Sequence, residues 1–285
     1  MSSLLFIGCL RFAIEKDLDK LNLQGKKLFK MAGEITYLKG TTPGHWPSGN
    51  EKEGAYYYVQ GGSVATYKKA SVLITLPSSI RLRHNTNWGR NAFISLGVDG
   101  GTGGAIDIGL RNCSRYGANE GDRSGLDSQT DQGHGWEAYC YQCPAGTSKP
   151  EKLHEVFKAP TGVVRAQVEV TPKTSMSIQL FVKWLDGNNQ ALGSVDKVFS
   201  LSRAYDWTVF YRFASLPTNN PNASMSDSTF MLGGTFETAR LGSAANVNWG
   251  INSTPVTKAW IVNAPKCSVP YQWDVGEQFK IDHWA

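Results

Sequence analysis

From Gly33 to its C-terminus the chain repeats its apolar residues at every second position, a period that suits extended strands and not helices. Alternate side chains of a strand share a face. Runs of this kind stand at Ala55–Gln60, Ser63–Tyr67, Ser71–Leu76, Ala92–Val98, Ala105–Leu110 and Trp136–Gln142. Others follow at Val163–Val170, Ser177–Leu185, Val195–Ser200, Trp207–Phe213, Phe230–Leu232 and Val256–Val262. Gly, Asn, Asp and Pro separate most of them. Gly61-Gly62 reads as a two-residue hairpin turn between the first two runs. The stretch Gly100 to Gly104 reads as a second hairpin turn. About a dozen strands with few helices predict an all-β fold, a two-sheet antiparallel β-sandwich of the jelly-roll kind.

Composition agrees with this. Of 285 residues, 41% are apolar and 11% aromatic, enough to fill a sizeable core. The 30 Gly, 12 Pro and only 19% charged residues exclude a helical bundle. No apolar run approaches the roughly 20 residues of a membrane-spanning helix. The formal charge of +5 is unevenly placed, since residues 1–31 hold six Lys or Arg and three acids. The body therefore carries only +2 and lacks the concentrated basic footprint of a nucleic-acid binder. The cluster Arg81, Arg83, His84 and Arg90 around Trp88 reads as a solvated strand end and loop.

Residues 1–31 differ from everything after them. Ser2–Ile14 is apolar but broken by Arg11, a poor signal peptide. Within Glu15–Lys30, Leu18, Leu21, Leu28 and Phe29 fall near one helical face. The expected organisation is an N-terminal extension, 1–31, with a short helix, followed by one sandwich domain, 32–285. The sequons at Asn112, Asn222 and Asn252 point to a secreted or extracellular protein, and to a cytoplasmic one if no signal peptide operates. The Gly-, Asp- and Ser-rich stretch Asn112–Gly135 is the longest break and reads as a functional or flexible loop.

Beyond Cys9, the cysteines are Cys113, Cys140, Cys143 and Cys267. They read as two disulfides of open connectivity or as buried free thiols. A zinc site on Cys113, His134, Cys140 and Cys143 lacks the second close ligand pair that structural zinc usually has, so no metal or cofactor is expected.

The alternation also assigns faces. Ile106, Ile108 and Leu110 face one way, with Asp107, Gly109 and Arg111 facing the other. Glu137, Tyr139 and Tyr141 share a face opposite Trp136, Ala138 and Cys140. Aromatic rings mixed with planar polar groups suit carbohydrate, whose C–H faces stack on rings and whose hydroxyls need donors and acceptors. Trp46 and Trp88 sit among polar loop residues and are candidates for the rim of such a site. Asp107 and Glu137 are also candidate acid and base. A structural Asp107–Arg111 ion pair and an exposed Glu137 explain the same residues without chemistry. No Gly-x-Ser-x-Gly elbow supports a serine nucleophile.

Two stretches resemble the glutamic peptidases (eqolisins), whose fold is a concanavalin-like sandwich. The first is Phe93-Ile94-Ser95-Leu96-Gly97-Val98-Asp99-Gly100 with Ala105-Ile106-Asp107-Ile108-Gly109 after it. The second is Gly135-Trp136-Glu137-Ala138-Tyr139-Cys140-Tyr141-Gln142-Cys143-Pro144. The catalytic pair of that family is not matched. Asp107 or Ile108 falls where its Gln is placed, and no acid occurs in Trp207–Phe213, where its Glu is placed. The resemblance implies a concanavalin-like jelly roll with a polar-aromatic concave sheet, and not the peptidase reaction.

The function expected from these residues is lectin-like carbohydrate binding, with a glycan or polysaccharide as partner. Asp107, Arg111, Glu137, Tyr139 and Tyr141 form the floor, and Trp46 and Trp88 the rim. The alternatives are a glycan hydrolase or lyase using Asp107 and Glu137, with Tyr139 or Tyr141 exchanging the proton in a lyase, or a self-assembling homo-oligomer.

Overall fold

The computed structural model describes residues 54–82, 91–113, 135–143, 152–217, 229–242, 246–262 and 266–282. The N-terminal extension and its expected helix, Trp46, Trp88, His134, Asn222 and most of the loop before Gly135 lie outside the described residues. Seventeen strands occur among those described. The first six are β1 (Gly54–Ser63), β2 (Lys69–Thr75), β3 (Ser79–Arg81), β4 (Asn91–Asp99), β5 (Ala105–Cys113) and β6 (Trp136–Cys143). Next come β7 (Lys152–Leu153), β8 (Phe157–Lys158), β9 (Arg165–Thr174), β10 (Ser177–Leu185), β11 (Ala191–Ser200) and β12 (Val209–Pro217). The last are β13 (Phe230–Gly242), β14 (Asn246–Asn248), β15 (Val256–Val262), β16 (Cys267–Trp273) and β17 (Gly276–Asp282).

They form two antiparallel sheets. The eight-stranded sheet runs β15-β1-β12-β4-β5-β6-β7, with β8 also on β6. The nine-stranded sheet runs β11-β10-β9-β2-β13-β17-β16, with β3 and β14 on β13. The fold is therefore the two-sheet antiparallel β-sandwich that the period predicts. Among the described residues no helix is long and apolar enough to cross a membrane.

An aliphatic core fills the space between the sheets. Ile94, Leu96 and Val98 of β4 and Ile106, Ile108 and Leu110 of β5 meet Val72, Ile74, Val168, Val170, Leu180 and Val182 of the other sheet. Each such burial contributes about 1.5–3 kcal/mol. The two sheets are covered differently. Strands β2 and β10 alternate buried with half-buried positions, as one-sided burial requires. Strands β4, β6 and β12 are buried over nearly their whole length, so the eight-stranded sheet is shielded on both faces.

The expected hairpin at Gly61-Gly62 does not form, because both glycines lie inside β1. A Cβ on Gly61 would stand 2.2 Å from the Pro255 carbonyl oxygen, and one on Gly62, at φ +81°, would meet Leu241 at the same distance. These glycines serve close approach of neighbouring chain, not reversal. Residues 64–66 are then a turn, where the alternation suggests a strand. The Gly100–Gly104 turn does form, joining β4 to β5 through one 3-10 turn. Asn112 is 2% exposed in β5, which closes that sequon to modification in the folded chain.

One ion pair crosses the core. Arg212 of β12 and Glu277 of β17, both fully buried, make two parallel hydrogen bonds of 2.8 Å. The Trp249 ring flanks the guanidinium, its centroid 4.8 Å from the central carbon. Burial works against the Arg212 charge, but the Glu277 carboxylate more than offsets it and raises the pKa. Removing one member leaves the other charged and unpaired in a dry interior. Glu277→Ala should lower unfolding stability by about 3–5 kcal/mol in urea denaturation, whereas Arg212→Met with Glu277→Leu should recover most of that loss.

Candidate functional site

The face of the eight-stranded sheet turned away from the aliphatic core carries aromatic and polar side chains, and strand register arranges them in rows. One row reads Tyr56, Ser215, Phe93, Arg111, Glu137, Lys158. The next reads Tyr58, Phe213, Ser95, Gly109, Tyr139. The third reads Lys258, Gln60, Tyr211, Gly97, Asp107, Tyr141. Tyr58, Phe93, Tyr139, Tyr141, Tyr211 and Phe213 form a second cluster with Ala105 and Cys143, separate from the aliphatic one.

Two tyrosines each reach across a glycine. Tyr211 lies over Gly97, where a Cβ would sit 2.2 Å from its ring carbons. Its hydroxyl thereby donates to the Asp107 carboxylate on the strand beyond. Tyr139 stands opposite Gly109, and its hydroxyl is 2.7 Å from Ser95 Oγ, again one strand beyond. Gly109, at φ +156°, has Ser95 Cα only 2.8 Å from its missing Cβ. The rings pack edge to face or stacked: Tyr139 and Tyr141 at 4.9 Å between centroids, Tyr58 and Tyr211 at 5.0 Å.

Arg111 closes one end of the face. Its Nε donates to Glu137 Oε1 at 2.6 Å, and Nη1 donates to the Tyr141 hydroxyl. The guanidinium also lies 5.4 Å from the Tyr141 ring centroid. The ion pair expected between Asp107 and Arg111 is replaced by this one, because Glu137 stands directly across from Arg111 and Asp107 four residues along the strand. Asp107 instead accepts from Tyr211, with Cys143 Sγ at 3.8 Å. At the same end, Asp99 Oδ1 accepts the Gly101 N–H at 2.8 Å. Burial raises the Asp99 pKa above its ordinary value, although that N–H and Lys258 pull the other way.

The structure thus brings Asp107, Arg111, Glu137, Tyr139 and Tyr141 onto one face, as the alternation indicates. It also adds Tyr211, Tyr58, Ser95 and Gln60. Along the strand, Asp107 and the Arg111–Glu137 pair stand four residues apart, about 13 Å of backbone at ~3.3 Å per residue. Burial pushes the Tyr58, Tyr139 and Tyr211 hydroxyls well above the usual tyrosine range, and the Asp107 charge adds to each. A Tyr139 so raised remains a neutral hydrogen-bonding group and a poor proton acceptor.

None of the four described cysteines is in a disulfide. Cys140 enters the aliphatic core and Cys143 the aromatic face, since three residues of strand turn them to opposite sides. They form no disulfide and cannot grip one zinc ion together.

No family model matches the chain, and no curated protein matches it. Among solved structures it is similar to scytalido-glutamic peptidase with a transition-state analogue inhibitor. That similarity has 15% identity, covers 80% of this chain and 98% of that one, and has a TM-score of 0.44. It is similar to a member of the eqolisin family of peptidases in complex with a tripeptide, at 12% identity, the same coverage and a TM-score of 0.41. It is also similar to toad ovary galectin in complex with thio-digalactose, at 14% identity over 57% of this chain and 92% of that one, with a TM-score of 0.26. Strand β12, Val209–Pro217, carries no acid.

Two outcomes follow from the site geometry. Gly97→Ala should cost about 1–3 kcal/mol through its clash with Tyr211, and much less on a Tyr211→Ala background, as a double-mutant cycle by urea denaturation will read. Asp99, with its raised pKa, binds its proton more tightly folded than unfolded. Stability therefore falls as pH rises from about 4 through the raised value. Asp99→Asn should raise the melting temperature at pH 7, and that gain should vanish below about pH 4.

Proposed function

We propose that this protein binds carbohydrate on the aromatic face of the eight-stranded sheet, and that the ligand meets the face at its Asp107 end. The observation that carries the reading is the row Gln60–Tyr211–Gly97–Asp107. Gln60 Oε1 is buried there with no hydrogen-bond donor among the described residues. A buried acceptor left in that state costs about 1–3 kcal/mol, which a ligand hydroxyl would relieve. Asp107 three strands away is a second acceptor, and the Tyr58–Tyr211 stack beside it is an apolar surface for a sugar ring.

Exposure favours the same end. Lys258, Gln60, Asp99 and Asp107 are half-buried, whereas Arg111, Glu137, Tyr139 and Tyr141 are buried. The buried four act from behind, fixing the floor through the Arg111–Glu137 pair and the Tyr139–Ser95 hydrogen bond. Glu137 is held by Arg111 and Asp107 accepts from Tyr211, which supports binding without turnover.

A glycan array probed with the full chain tests this, with bound ligands and released fragments scored separately. Bound ligand without fragments is expected. Asp107→Asn should weaken binding about tenfold or more, and Gln60→Leu by a smaller factor, with the folded far-UV spectrum kept. Released fragments, or an Asp107→Asn variant that binds as the parent does, would refute the reading.

A further inference from the structure

The nine-stranded sheet ends in a strand whose outer edge meets no other strand among the described residues. Strand β11 pairs with β10 on one side through an unbroken ladder from Ser177–Ser200 to Trp184–Gly193, and with no other strand among the described residues. The other sheet ends are short or interrupted. Strand β7 has two residues, β16 carries Pro270 and a register irregularity, and β15 has seven residues and an irregularity of its own. At ten residues, β11 is the longest edge, and it lacks Pro. Natural edges are commonly guarded by charge, Pro or a bulge. Here Lys197 is drawn inward to Glu155 at 2.8 Å, and Asp196 accepts from Gln179 of the neighbouring strand. Leu192 and Val198 meanwhile stand 38% and 49% exposed.

We propose that β11 is the docking edge for a second copy of this chain, paired antiparallel about a two-fold axis through Val195. The register follows from symmetry. A two-fold normal to the sheet keeps each side chain on its own face, so the axis must pass through a residue that meets its own copy. An axis at Asp196 or Lys197 would set like charges directly opposite. An axis at Ser194 would set Leu192 against Asp196. The Val195 axis sets Leu192 against Val198 and Ser194 against Asp196 on the outer face. On the inner face it sets Lys197 against Gly193, which leaves room for the lysine stem. Each of these pairs occurs twice, and every exposed apolar side chain of the strand gains an apolar partner. The partner strand also takes up the outward backbone groups.

Sedimentation velocity of the full chain across a concentration series tests this, with substitutions at the exposed Ser194. Ser194→Asp places a carboxylate opposite Asp196 twice and should weaken the dimer about tenfold or more. Ser194→Lys places an ammonium there and should hold the dimer as tightly or more so. A monomer at about 1 mM protomer overturns the proposal. So does a dimer on which the two substitutions act alike.

Discussion

The central strands of the eight-stranded sheet are buried on both faces, and the rest of the architecture answers to that constraint. A strand covered on one side may leave its outward polar groups to water. Strands β4, β5, β6 and β12 have far less of that recourse. Their inner face is aliphatic for the most part, and its buried Arg212 is answered by Glu277 of the other sheet. Their outer face is tyrosine-rich, so its hydroxyls must be met by neighbouring side chains. Ser95 meets Tyr139, Asp107 meets Tyr211, and Arg111 meets Tyr141 while holding Glu137.

Glycine makes those contacts sterically feasible. The Tyr139 and Tyr211 hydroxyls each find a partner one strand further on than their own register neighbour, so the intervening residue must be small. Gly97 and Gly109 are those residues, and at Gly97 any side chain would occupy the Tyr211 ring. This face is consequently a fixed surface of rings and oriented polar groups, the preorganisation that selective recognition of a hydroxyl-rich ligand requires. Its Asp107 end is where the covering is incomplete.

The alternation in the sequence is enough to define the fold class, and it groups Asp107 with Arg111 on one strand and Glu137 with Tyr139 and Tyr141 on another. Those are local facts about single strands. Strand order is not local. Tyr211 lies 104 residues from its partner Asp107, and the alternation in Trp207–Phe213 shows only that Tyr211 and Phe213 share a side. Glycine is ambiguous in the same way. Gly61-Gly62 has the composition of a turn but is a point of close approach to Pro255 and Leu241. Strand β13 is legible only as far as Leu232, because Gly233-Gly234 interrupts its alternation. Strands β16 and β17 leave no clear alternation in the sequence: Pro270 breaks the first, and charged residues dilute the second. The Arg212–Glu277 pair is equally hidden, since an arginine at an inward position reads as an error in the pattern until its partner is known.

Hydrogen–deuterium exchange on the full chain, with and without the tightest-binding glycan from an array, tests the central claim most directly. The account predicts added protection in the segments around Gln60, Asp99–Asp107 and Val209–Tyr211, with the nine-stranded sheet unchanged. Protection confined to the nine-stranded sheet, or no change around Asp107 at a saturating glycan concentration, would contradict it.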